Sequence, residues 1–556
     1  MWILCWSAVA GAVGAVARAA SLEDVCTTSY VQVSLPQPDS ITGITIDPSS
    51  VVVNAVTSAE VLKESMYPDS VFDYCNVSFA YSHDGRNDRV LLWYWLPSPD
   101  NFKNRFLSTG GGGYAINSGN GSLPGGIIYG AAAGATDGGF ESFSTNADQV
   151  ILLANGTINR DALYMFGYEG IHEMTIIGKQ LTKNFFEMSM SKLYAYYQGC
   201  SEGGREGWSQ IQRFADQWDV EQTMNYFPPP CELQKIANET IAACDPLDGK
   251  TDGVVARTDL CMLHFNINTT IGMAYHCPAA QPGNIFPPAP ATPVQNGIVT
   301  AQGVAVAQAI LDGLHDSQNR RAYFSYQPAA TFADAQTAYD NTTSSWGPYI
   351  SSLGGEWVEK FLNLQNGTNL PSLDNVTYDT LTAWMVEGWQ RYEDVLQTTW
   401  PDLTPFQQAG GKVIHYHGES DNSIPTASSV RYWESVRRVM YPGQTYNESA
   451  AMLNEWYRLF LVPGAAHCAP NTLQPNGPFP QTNLAVLIEW VENGTVPTTL
   501  NATYLAGESL GQNAQICAWP LRPFWSNNGT TMECQYDQAS IDTWHYNMDA
   551  YKLPLY

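Results

Sequence analysis

Basic residues are scarce in this chain. Only 26 of its 556 residues are Lys or Arg, against 53 Asp or Glu, so the formal net charge is −27 at pH 7. Such a surface repels a polyanion across a Debye length of about 8 Å at physiological salt, which argues against nucleic acid as a partner. Long apolar runs are scarce too. Beyond the first residues nothing approaches the roughly 20 apolar positions that a membrane-spanning helix needs, so no membrane partner is expected. No internal repeat or heptad is visible, and no two of the nine histidines stand at the H-x-x-x-H spacing of a helical zinc site.

What is present points outward from the cell. The opening stretch MWILCWSAVAGAVGAVARAASLED is an apolar run closed by the small-residue pattern Ala17-Arg18-Ala19, and it reads as a secretory signal over residues 1–19 despite lacking a basic start. A membrane anchor fits less well, because Ala and Gly dominate the run and Arg18 interrupts it. N-x-S/T sequons recur from Asn76 to Asn528, as on a glycosylated, secreted surface. Of 11 cysteines, Cys5 lies in the leader, and the remaining even number predicts disulfides. Proximity alone pairs Cys26 with Cys75 and Cys517 with Cys534.

The aromatic and branched runs RVLLWYWLP (89–97), RFLS (105–108), KLYAYY (192–197), KVIHY (412–416) and YRLFLV (457–462) predict strands. Residues 202–214 and 426–439 predict helices, the second with Val430, Trp433 and Val436 at three-residue steps. Strands alternating with helices predict an α/β fold with a parallel sheet covered on both faces. The rhythm breaks near Glu232 and resumes near Thr399. That stretch holds a Pro-rich loop at 282–293 and a helix at 300–314, and it is expected to be an inserted lid domain. The expected division is core at 20–230, lid at 231–399, and core again at 400–556.

One pentapeptide carries the chemistry. Gly199-Cys200-Ser201-Glu202-Gly203 is a G-x-S-x-G element between a predicted strand and a predicted helix, where small neighbours allow the sharp turn that exposes a nucleophilic serine. A structural turn is the bland reading of the same residues. In this arrangement the acid and then the histidine follow later in the chain. Asp421 follows KVIHY and His467 follows YRLFLV, both in loops beyond strand ends. Glu419 is an alternative acid, while His415 and His417, the competing histidines, lie in or beside a strand and read as packed or structural. Cys200 precedes the serine and Cys468 follows the histidine. A disulfide holds its two Cα atoms about 4.4 to 6.8 Å apart, so a Cys200–Cys468 bond would staple the two loops, unless both cysteines pair elsewhere. Closing so long a loop is worth roughly 5 kcal/mol at most in the chain-entropy account. Amides of Glu202 and of the Gly111, Gly112 and Gly113 loop are the expected oxyanion donors. That glycine loop lacks the G-K-[ST] of a phosphate cradle.

A second site is suggested by CDPLDGKTDGVV (244–255). Asp245, Asp248 and Asp252 around a Gly-bearing turn, with the carbonyls of Lys250 and Val254, offer the hard oxygen ligands that calcium takes. A plain acidic surface turn is the alternative. Cys244 and Cys261 bracket the loop and could close it.

Together Gly199-Cys200-Ser201, Asp421 and His467-Cys468 resemble the Cys-Ser, Asp, His-Cys signature of the tannase and feruloyl esterase family. The stretches CDPLDGKTDGVV, LTPFQQAGGKVIHYHGESDNSIP, PGAAHC and LPLY look like its tannin-hydrolysing members, and the similarity covers nearly all of the mature chain. The resemblance implies an α/β-hydrolase core, a lid with structural calcium, and hydrolysis of galloyl esters of polyphenols. Ferulate or chlorogenate esters are the close alternative. It also implies the triad Ser201, Asp421 and His467, the Cys200–Cys468 bridge, and calcium ligands at Asp245, Asp248, Lys250, Asp252 and Val254. There is one departure. Asp219 leads directly into VEQTMNYFPPPCE, where members of the family carry a further strand and a small-residue turn. A catalytically inactive relative is therefore a second expectation, since a sheet that loses a central strand leaves backbone groups unpaired.

Overall fold

The computed structural model describes residues 20–38, 40–189, 191–211, 226–283 and 289–551. The expected helix at 202–214 therefore extends past the described residues, and the departure after Asp219 lies outside them. Strands β1 (Ile44–Val61), β2 (Ser70–His83), β3 (Val90–Pro97), β4 (Arg105–Thr109) and β5 (Ala131–Thr136) are followed by helix α1 (Gly170–Phe185) and strand β6 (Tyr194–Gln198). They form one six-stranded sheet in the order β1-β2-β3-β5-β4-β6.

This sheet corrects the expectation of a parallel one. β1 to β3 are antiparallel neighbours and β3 meets β5 antiparallel; only β5, β4 and β6 run parallel. The reason is connection length. The links between β1 and β2 and between β2 and β3 are far shorter than a parallel crossover requires. β5 is AAAGAT, wholly buried, and its small side chains let α1 approach closely. α1 faces the sheet with Ile171, Met174, Ile177, Leu181 and Phe185, an apolar stripe at helical spacing.

Helices α2 (Glu202–Ile211), α3 (Pro230–Cys244), α4 (Ala301–Asp312) and α5 (Tyr378–Tyr392) come next. Within residues 231–399, Leu233, Ile236, Val299, Val304 and Ala307 form a small apolar cluster, whereas Trp357, Val358 and Phe361 pack into the core beside α1. Strand β7 (Val413–Gly418), helix α6 (Thr426–Met440) and strand β8 (Tyr457–Val462) then make a parallel crossover with Val413 opposite Tyr457. Val430, Trp433 and Val436 of α6 are fully buried against it. Among the described residues β6 pairs only with β4, and β7 only with β8.

Helix α7 (Asn483–Asn493) ties the two parallel units together: Leu484 and Ile488 pack with Leu107 and Tyr196. Glu492 accepts from Arg105 Nε at 2.6 Å and from the Tyr196 hydroxyl at 2.7 Å. Strands β9 (Thr499–Tyr504), β10 (Asn513–Cys517), β11 (Leu521–Ser526) and β12 (Thr531–Tyr536) close the chain as antiparallel pairs that the sequence reading did not anticipate. The bonds Cys26–Cys75, Cys200–Cys468, Cys244–Cys261 and Cys517–Cys534 form as expected, and Cys231–Cys277 completes the set.

Gly178 marks the tightest helix-to-sheet contact on α1: a Cβ there would lie 2.4 Å from Phe106 Cζ and 2.5 Å from Tyr94 Cε1. Alanine ordinarily favours a helix over glycine by about 1 kcal/mol. Overpacking costs roughly 1–3 kcal/mol and wins here. Gly178→Ala is expected to lower Tm in a thermal scan; a raised Tm would show that the sheet yields.

Candidate active site

β6 ends at Gln198, α2 begins at Glu202, and the turn between them is sharp. Ser201 has φ +57°, a left-handed conformation that costs a non-glycine residue about 1 kcal/mol or more. A Cβ on Gly199 would lie 2.4 Å from the Gly203 carbonyl oxygen, so only glycine fits. The result is a serine hydroxyl raised at the start of a helix.

His467 lies in the loop after β8, and its Nε2 is 2.9 Å from Ser201 Oγ. Its Nδ1 is 3.0 Å from Asp421 Oδ2. The adjacent disulfide sets Cys200 and Cys468 at a Cα separation of 6.0 Å, and Cys468 is also left-handed at φ +58°. Asp421 is 4% exposed and fully hydrogen-bonded: Oδ1 accepts the amides of Ser423 and Ile424, each at 2.8 Å, and Oδ2 faces His467 and His417. Burial alone would push this carboxyl up. The bonds from His417 and His467 outweigh it and hold Asp421 well below the usual carboxylate range. Burial opposes charge on His467, but Asp421 and the charge of Asp334 raise its pKa above the ordinary value.

Glu419 lies elsewhere. It is buried, accepting from Thr258 Oγ1 at 2.7 Å and Arg522 at 2.6 Å. His415 sits in β7 with its Nδ1 2.9 Å from the Tyr457 hydroxyl. His417, read as packed or structural, reaches Asp421 Oδ2 with its Nε2 at 3.1 Å.

The glycine loop is more committed than the sequence implied. The Gly111 amide donates to Glu206 Oε2 at 2.9 Å, and the Gly112 amide to the Ala115 carbonyl at 3.1 Å. Gly112 is thus a poor oxyanion donor in this arrangement. Gly113, at φ +61°, has no partner for its amide among the described residues, and Glu202 supplies the first amide of α2. Glu206, which sequence reasoning missed, is fully buried on α2; burial and then the Glu202 carboxylate push its pKa well above the usual range. Only its spacing from Gly203, one helical turn before it, hinted that it faces the loop.

At the acidic loop, Asp245 and Asp248 are 6% and 2% exposed. Asp245 Oδ1 accepts the Asp252 amide at 2.9 Å, and Asp248 Oδ1 accepts the Lys250 amide at 2.9 Å. Burial, with the nearby charges of Asp252 and Asp245, raises the Asp248 carboxyl to about 7. These buried hard oxygens are the donor chemistry calcium takes. Asp252, however, turns to Lys250 Nζ at 2.8 Å, and among the described residues no three His, Cys, Asp or Glu side chains are grouped so as to hold a metal ion. The donor types fit; the convergence would require Asp252 to leave Lys250.

A cavity of about 840 Å³ opens at Ser201, Asp421 and His467 and runs between β6 and β7, with Trp384, Trp389 and Tyr551 among its aromatic lining.

A profile described as tannase and feruloyl esterase matches residues 75–220 and 219–540. The tannase of Aspergillus oryzae is 48% identical over 98% of this chain and 98% of its own, and a probable feruloyl esterase of Arthroderma benhamiae is 28% identical over 85% and 88%. Among solved structures, the tannin acyl hydrolase from Aspergillus niger superposes with a TM-score of 0.92 at 59% identity, covering 97% of this chain and all of that one. Feruloyl esterase B from Aspergillus oryzae, at 24% identity and a TM-score of 0.65, shares the fold. The protein is thus a mixed α/β carboxylic ester hydrolase. The chain belongs to the tannase and feruloyl esterase family. The two matched stretches overlap at 219–220.

Glu206 anchors the glycine loop through Gly111. Glu206→Ala is expected to lower kcat about tenfold or more, by loosening the glycine loop whose Gly111 carbonyl accepts the Gly203 amide beside Ser201, while Glu206→Gln keeps most of the rate. Steady-state kinetics of both variants checks this, and equal rates would contradict it.

Proposed function

We propose that this chain is a secreted serine esterase that hydrolyses galloyl esters of plant polyphenols through an acyl-enzyme. The observation that carries the reading is the pair of contacts joining Ser201 Oγ, His467 and the Asp421 carboxylate, 2.9 and 3.0 Å long. His467 Nε2 takes the Ser201 proton as Oγ attacks the ester carbonyl, and the Asp421 carboxylate fixes the imidazole tautomer and stabilises the cation that forms. Amides of Glu202 and Gly113 meet the charge on the tetrahedral oxygen. His467 returns its proton to the leaving alcohol, and water then cleaves the acyl-serine by the same steps in reverse.

Within this reading residues 20–230 and 400–556 form an α/β-hydrolase core and 231–399 a lid, with 1–19 removed on export. A structural calcium ion would be held by Asp245, Asp248 and Asp252 with the carbonyls of Lys250 and Val254; its contribution is to neutralise buried carboxylates, not to act on substrate. The 48% identity to a tannase favours galloyl over feruloyl esters. The break at 219–220 is the one observation favouring an inactive relative.

Hydrolysis of methyl gallate and methyl ferulate by the purified secreted chain separates these readings. Faster turnover of gallate, abolished in Ser201→Ala, is the expected result. Faster ferulate turnover would reassign the substrate, and no turnover of either by folded protein would favour the inactive relative. Because His467 must be neutral to accept a proton and its pKa is raised, hydrolysis is expected to fall as pH drops through that raised value. Chelation with EDTA is expected to lower Tm, with calcium restoring it; an unchanged Tm would remove the metal from the account.

A further inference from the structure

Behind the acid runs an uninterrupted chain of polar contacts. His417 Nε2 lies 3.1 Å from Asp421 Oδ2 and 3.0 Å from the Ile424 carbonyl oxygen. Both neighbours are acceptors, so this nitrogen carries a proton. His417 Nδ1 is 2.7 Å from Ser429 Oγ on α6, and that hydroxyl is 3.0 Å from His415 Nε2. His415 Nδ1 is 2.9 Å from the Tyr457 hydroxyl on β8.

One direction satisfies every atom without a charged ring. Tyr457 donates to His415 Nδ1, His415 Nε2 donates to Ser429 Oγ, Ser429 donates to His417 Nδ1, and His417 Nε2 donates to Asp421. Burial lowers His415 to about 3, so its ring is neutral, as this direction needs. Burial also pushes the Tyr457 phenol well above its ordinary value, which keeps it a donor. Trp208 of α2 packs edge-on against His415, their ring centroids 5.3 Å apart, and both line the cavity.

We propose that His417 is a positioning residue for the esterase: at the head of a relay from Tyr457, it donates to Asp421 and keeps that carboxylate ionised and aimed at His467. The inference rests on the serine-esterase reading. Asp421 has two nitrogen donors on one oxygen, and only one of them belongs to the triad. Without His417, burial acts on Asp421 less opposed, and the Asp421–His467 pair binds a proton more readily. The acid limb of the rate profile therefore moves to higher pH. Among the described residues the other charged groups near the cluster are Asp334, which accepts from Asn422 Nδ2 at 2.7 Å and from the Ser423 hydroxyl, and Arg431, Lys412 and Arg205, which line the same cavity. Glu206 of α2 faces the glycine loop instead.

The test compares His417→Leu, His417→Gln and Ser429→Ala with the wild-type chain, each checked by Tm. Two readouts are followed against pH: kcat/KM on methyl gallate, and the rate at which diethyl p-nitrophenyl phosphate labels Ser201, detected by mass spectrometry. His417→Leu is expected to lower kcat about tenfold with little change in KM, since it removes one hydrogen bond to a charged group. Its acid limb should move up by about one pH unit. Gln places a donor near the Nε2 position, so His417→Gln should restore most of the rate and the wild-type limb. Ser429→Ala should shift the limb the same way by less. Wild-type limbs in both His417→Leu and Ser429→Ala, or in Ser429→Ala alone if the leucine variant does not fold, would overturn the relay while leaving the esterase reading intact. Hydrolysis that survives in Ser201→Ala, or a Ser201 that takes no label in the wild-type chain, would overturn both.

Discussion

The Cys200–Cys468 disulfide is the constraint on which the site depends. The nucleophile hangs from β6, in a sheet built by residues 44–198, whereas the acid and the histidine hang from β7 and β8, built by residues 413–462. Among the described residues these strands are not joined by a ladder of backbone hydrogen bonds. What joins them near the site is a covalent bond one residue from the serine and one residue from the histidine, spanning 268 positions of sequence. Packing of α7 provides a second tie: Leu484, Ile488 and the Glu492 pair with Arg105 hold the first sheet, and Val486 packs beside Phe460 and Ile414 of the second. Ser201 and Cys468, on the two sides of the bridge, both occupy left-handed backbone.

Electrostatics follows from that geometry. Bringing three polar side chains together in a buried place would ordinarily favour neutral forms, since desolvation penalises charge. Asp421 escapes because each lone-pair direction meets a donor. The ionised acid then raises the basicity of His467, which is what proton abstraction from Ser201 needs. Glu206 is the opposite case: buried beside a second carboxylate, it is driven toward its neutral form and serves as a fixed anchor for the glycine loop.

Much of this was legible in the sequence, for identifiable reasons. Aromatic and branched runs bounded by Pro and Gly gave β3, β4, β6, β7 and β8, because strands dense in such residues carry a strong local signal. Cysteine neighbours of Ser201 and His467 gave the bridge. The long β1–β2 hairpin was not read. β1 is largely exposed, with Pro48 within it, and its apolar run, Val51-Val52-Val53, is short, lacks aromatics and is flanked by polar residues. The antiparallel half of the sheet followed from short connections rather than from strand composition. His417 and Glu206 escaped because a lone histidine in a strand and a glutamate in a helix look alike whether they face solvent or a buried partner; only the fold brings Asp421 and Gly111 to them.

The central claim is that a covalent staple, rather than continuous strand pairing, holds the serine against the histidine. The most direct measurement is ester hydrolysis by the double variant Cys200→Ala, Cys468→Ala, alongside its far-UV circular dichroism. The account predicts retained secondary structure with kcat reduced about a hundredfold, since a displacement near 1 Å suffices for such a loss. Hydrolysis at the wild-type rate by a folded double variant would contradict it.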